Sequence, residues 1–110
     1  MAASKVKVDL LAAIYEQENL MYKLCGKIVK KNNIVQDHVI EMHKEGLSAE
    51  DALFKGIEAL CNHFDIANPI WMHGNKHEMN LINKTRFKAQ HFIEEIDFDY
   101  FEIETISERV

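Results

Sequence analysis

A chain of 110 residues, 47% hydrophobic and 28% charged, is long enough to bury a core of its own and too evenly composed for a disordered, collagen-like or coiled-coil-only protein. No apolar run approaches the ~20 residues of a membrane span or the core of a signal peptide. The net charge of −5 is uneven, because residues 94–110 hold seven acids against Arg109 alone; the near-neutral remainder argues against broad nucleic-acid binding by counterion release.

These features predict one domain over residues 1–110 in the cytoplasm. Ala2 follows Met1 where N-myristoylation needs glycine, and the C-terminus carries no lipidation cysteine. Cys25 and Cys61 both fall on apolar helical stripes, and a reducing compartment would keep them as free, hydrophobic thiols.

From Val6 the apolar residues Leu10, Leu11, Ile14, Met21, Leu24, Cys25, Ile28 and Val29 recur at helical spacing, which predicts a long first helix ending at Asn32-Asn33. Gln17 and Glu18 interrupt its stripe, while Lys27, Lys30 and Lys31 suit the negative pole of its dipole. Such a helix would run about 37 Å against a radius of gyration near ~13 Å for a domain of this size. That excess is consistent with a homodimer formed through the N-terminal helix.

Residues 34–45 predict a second helix, since Ile34, Val35, Val39 and Met42 share one helical face behind Asn33 as cap and Gln36 at the capping-box position. The β-branched content favours a strand instead, but alternation leaves no clean apolar face. Gly46 then serves as a C-cap and Ser48 as the N-cap of a third, central helix over 48–64. Glu50 and Asp51 fill its first turn, and Ala52, Leu53, Gly56, Ile57, Leu60, Cys61 and Phe64 make one apolar stripe. Asn68-Pro69 bars its continuation.

After Pro69, Ile70-Trp71-Met72 reads as extended, His73-Gly74-Asn75 as a turn, and residues 76–83 as a brief helix presenting Met79 and Ile82. Residues 84–92 and 98–106 predict an antiparallel hairpin with Lys88 opposite Glu102, Arg86 opposite Glu104, Phe87 opposite Ile103, Thr85 opposite Thr105 and Phe92 opposite Phe98. The connection has no Gly or Asn for a tight turn, so residues 92–96 could alternatively form one helical turn. The fold class expected is therefore α+β, mainly helical: three N-terminal helices followed by a small C-terminal antiparallel β element.

Cys61, His63, His73 and His77 are the candidate metal ligands, being residue types that hold zinc tetrahedrally. Against them, Cys61 lies on the apolar stripe while His63 sits about 200° round the same helix, and Gly74 interrupts a helix shared by His73 and His77. A core thiol with surface histidines is the competing reading. The six histidines, His38, His43, His63, His73, His77 and His91, are scattered with no adjoining nucleophile motif. Hence neither an enzyme nor a cofactor is expected.

Residues 35–60 resemble a helix-turn-helix DNA reader through the Gly46-Leu47-Ser48 turn, although Glu50 and Asp51 at the start of its second helix would repel phosphate. Trp71 is either an exposed interface anchor or a plug over one end of the core. The function expected is that of a small non-enzymatic interaction module, an adaptor or inhibitor. Its protein partner would meet the acidic C-terminal surface at Trp71, Glu102 and Glu104. A zinc domain or zinc enzyme and a DNA-binding regulator are the alternatives.

Overall fold

A computed structural model describes residues 21–43 and 46–106 of the chain. Its first element follows from alternation: Tyr22, Leu24 and Ile28 are buried, while Lys23, Cys25 and Lys27 between them stay half-exposed, the period-two pattern of a strand with one covered face. This is strand β1 (Met21–Lys30), which folds back into β2 (Asn33–His43). The two linking residues, Lys31 and Asn32, have φ of 53° and 65°, the left-handed pair whose twist suits a two-residue hairpin.

The predicted long helix is thereby corrected. Its residues from 21 onward are a strand, because positions four apart, such as Leu24 and Ile28, share a face in either geometry. Residues 6–20 lie outside the described residues, and the dimer contact expected of them lies there too. The second predicted helix is corrected as well. Residues 34–43 are strand, and the β-branched Ile34, Val35, Val39 and Ile40 outweigh the capping pattern. Val35 is the extra residue of a bulge, since Ile28 pairs with Gln36 and Val29 with Ile34. With a strand before Gly46, the helix pair required for a helix-turn-helix does not exist.

Two α-helices follow, α1 (Ala49–Phe64) and α2 (His73–Ile82), then β3 (Lys84–Phe87), one 3-10 turn (Ala89–His91) and β4 (Tyr100–Ile106). All pairings are antiparallel and the strand order is β2-β1-β4-β3. The architecture is thus α+β, but neither mainly helical nor built on three N-terminal helices: strands come first, and among the described residues two helices cover one face of a four-stranded sheet.

The central helix starts as its sequence dictates, with Ser48 Oγ accepting the Asp51 N–H at 3.1 Å. It stops earlier than Pro69 requires, at Asp65, whose φ of 58° turns the chain away. Its seat on the sheet is set by two glycines. A Cβ on Gly26 of β1 would stand 2.8 Å from Leu60 Cδ1, and one on Gly56 of α1 would stand 2.9 Å from Leu24 Cδ2. Each element thus gives up a side chain where the other inserts a leucine, and both leucines are fully buried. Phe64, Phe87, Phe101, Ile103 and Ile28 complete the core around them.

The C-terminal hairpin forms between the predicted segments with its register displaced by two residues: Arg86 faces Glu102, Lys84 faces Glu104, Thr85 faces Ile103 and Phe87 faces Phe101. A two-residue displacement keeps every side chain on its predicted face. Phe92 and Phe98 meet edge-to-face at 5.8 Å, outside the strand ladder.

Candidate functional site

The buried polar and charged side chains, Asn75, Thr85, His91 and Glu102, gather on one side of the molecule, on α2, edge strand β3, the 3-10 turn and β4. Burying such groups costs free energy unless each is hydrogen-bonded, and here they are. The Asn75 carboxamide oxygen accepts the Met72 N–H at 2.9 Å, capping α2. Its Nδ2 donates to Thr85 Oγ1 at 2.9 Å and to the Arg86 carbonyl at 3.2 Å. Thr85 in turn donates to Glu78 Oε1 at 2.6 Å. This chain of bonds pins α2 to β3.

On the other face of β3, Arg86 Nε donates to Glu102 Oε2 at 2.8 Å and its guanidinium lies 4.4 Å from the centre of the Tyr100 ring. The bond to Glu102 strengthens the hold of the guanidinium on its proton. Beyond the network, Gly74, His77, Ile82, Lys84, Lys88, Gln90 and His91 line a cleft of about 630 Å³.

A second cleft, about 560 Å³, opens at the hairpin end of the sheet between residues 65–67, which follow α1, and the segment 94–98. Asp99, just after that segment, is bonded to the β1–β2 hairpin. The Asp99 N–H donates to the Val29 carbonyl at 2.8 Å, Asp99 Oδ2 accepts the Asn32 N–H at 3.3 Å, and Asp97 lies 4.0 Å from Lys30. Asp65, Glu94, Glu95 and Asp97 ring the cleft, with Ile66, Ile96 and Phe98 between them. A third, smaller cavity of about 370 Å³ is lined by Leu53, Phe54, Trp71, Met79, Tyr22 and Thr105 among others.

The residues singled out from the sequence fall in separate places. Cys61 is buried in the core, where desolvation pushes its thiol up to about 12. His63 points the other way and stacks on His38 of β2, ring centres 3.6 Å apart and nearly parallel. His73 and His77 share α2, of which His77 lines the cleft beside β3. Among the described residues no group of three or more His, Cys, Asp or Glu is placed to hold a metal ion. Both cysteines are free thiols.

Trp71 is half-buried, edge-on to Phe54 at 5.6 Å and tilted on Phe87 at 5.8 Å, so it closes one end of the core while its outer edge lines the third cavity. Glu102 is buried against Arg86, and Glu104 is half-exposed opposite Lys84. Upstream of both, Glu94 and Glu95 are exposed and make no ion pair among the described residues. Asp65 joins them only through the fold, and nothing in the local sequence announces it. Asn75, Thr85 and His91 carry no sequence signal either, since each is an ordinary polar residue until α2 and β3 meet.

Comparison with protein-family models, with curated proteins and with solved structures found no match for this chain.

Proposed function

We propose that this chain is a small non-enzymatic interaction module of the cytoplasm, and that its acidic cleft at the hairpin end receives a basic, partly apolar segment of a protein partner. The observation that carries this reading is four carboxylates placed around an apolar floor. Asp65, Glu94 and Glu95 have no ion-pair partner among the described residues. Ile93 beside them is 90% exposed, the most exposed large hydrophobic residue described, and such side chains commonly anchor interfaces. The C-terminal pole of α1, ending at Asp65, adds negative potential to the same cleft.

A binding role, rather than a catalytic one, is supported by what the reactive side chains are doing. Cys61 is a protonated core thiol, His38 and His63 stack on each other, and His91 Nδ1 accepts a backbone N–H. Among the described residues no helix is long and apolar enough to cross a membrane.

The test is photo-crosslinking from position 93 in cells, in the parent chain and in a Glu94→Lys/Glu95→Lys variant, combined with binding of a lysine-rich amphipathic peptide to each. The reading expects a discrete crosslinked partner and a salt-sensitive peptide affinity, both lost in the variant, whose two substitutions lie on exposed positions. A crosslink and an affinity indifferent to the charge reversal would overturn it.

A further inference from the structure

We infer that the cleft between α2, β3 and the 3-10 turn binds a small, multiply charged oxyanion, a phosphate ester or a polycarboxylate. The deciding residue is His91, only 8% exposed. Its Nδ1 accepts the Lys88 backbone N–H at 3.0 Å. An amide N–H can only donate, so neutral His91 must carry its proton on Nε2. That nitrogen has no protein partner among the described residues, and no buried side-chain nitrogen or oxygen there is left unpaired. Nε2–H is therefore a solvent-reachable donor in a residue that lines the cleft. The ring is held in place, edge-on to Phe87 at 5.6 Å, while the His91 carbonyl accepts the Ile70 N–H.

The other groups of the cleft sort in the same direction. Two of its acceptors are tied up within the protein: the Asn75 oxygen caps α2, and one oxygen of Glu78, the one carboxylate in the lining, takes the Thr85 hydroxyl. Its donors are not. Lys84 and Lys88 have no ion pair among the described residues, and Arg86 uses Nε on Glu102 while its fork has further N–H groups. A chain of net charge −5 has thus collected two lysines without an ion pair among the described residues, an arginine paired on one side only and a fixed imidazole donor in one concavity. A site with more free donors than free acceptors recognises anions, and about 630 Å³ lies in the range of small-molecule pockets. The acidic cleft is a separate site with the opposite preference.

The test is titration of the full chain with pyrophosphate and, separately, with citrate at constant ionic strength, followed by amide and histidine side-chain NMR signals. Saturable shifts are expected at Lys88, Gln90 and the His91 ring. Tighter pyrophosphate binding assigns the site to phosphate ligands, and tighter citrate binding to polycarboxylates. The exposed Lys88 and half-buried Lys84 can be replaced without opening the core, and the Lys84→Ala/Lys88→Ala variant should bind at least ~10-fold more weakly, since a hydrogen bond to a charged group is worth about that factor or more. A His91→Phe variant should lose affinity further if it folds. Non-saturating shifts that reach Lys27 and Lys30 equally, or an affinity unchanged in the double lysine variant, would overturn the assignment.

Discussion

The crossing of α1 over β1 and the junction of α2 with β3 are two ways of attaching a helix to the same sheet. At the first, Gly26 and Gly56 let two leucine side chains interlock; at the second, Asn75, Thr85 and Glu78 add directional bonds beside the buried Met79. Apolar interlocking supplies stability and tolerates no added volume, whereas a hydrogen-bonded junction fixes orientation for less net stability. Positioning of that kind is what a ligand-binding cleft needs, and the proposed oxyanion site stands on the second junction.

The largest effect should come from Leu60→Ala, which removes the knob of the first junction and should lower stability by about 2–5 kcal/mol in denaturant unfolding. Gly26→Ala should cost about 1–3 kcal/mol by overpacking against Leu60 and Phe101. In a Leu60→Ala background that cost should shrink, because the new methyl enters the vacated space; strictly additive costs would mean the two residues do not interlock. At the second junction, Asn75→Ala should cost about 1–3 kcal/mol by leaving the Met72 N–H without its cap. Its distinguishing mark should be accelerated hydrogen exchange confined to α2, with α1 unaffected. Ser48→Ala, outside both junctions, should cost about 1 kcal/mol.

Alkaline pH separates the junctions in another way. Burial holds the Cys61 thiol protonated up to about 12 in the folded chain, while an unfolded thiol ionises near ~8.5. The raised folded value means that this contribution is intact below the unfolded value and is lost as pH rises toward about 12. Replacing Cys61 with alanine should flatten the alkaline fall in stability, and replacing the half-exposed Cys25 should flatten it less.

How much of this was legible depended on whether a pattern was local. The span 48–64 announced itself because capping by Ser48, acids in the first turn and a helical stripe all act within a few residues. The strands misled for the same reason. Leu24 and Ile28 fit either period, and Gly26, the residue that would have completed the strand's buried face, has no side chain to register in a hydrophobic pattern. On β2 the apolar residues Ile34, Val35 and Val39 are exposed on an edge strand, so alternation was blurred at its source. In the C-terminal hairpin charge and apolar matching chose the correct faces, but the register depended on the long connection through the 3-10 turn. Of the sites, the acidic stretch could be read in the chain, whereas Asp65 and the His91 cleft exist only where distant segments meet.

The most direct measurement is a pair of amide NMR titrations of the full chain, one with a lysine-rich amphipathic peptide and one with pyrophosphate. Two disjoint sets of shifts are expected: Asp65, Ile66, Ala67 and residues 94–98 with the peptide, and Lys84, Lys88, Gln90 and His91 with pyrophosphate. The same residues moving in both titrations, or neither ligand producing saturable shifts, would contradict the division of the surface into an acidic docking cleft and a cationic ligand cleft.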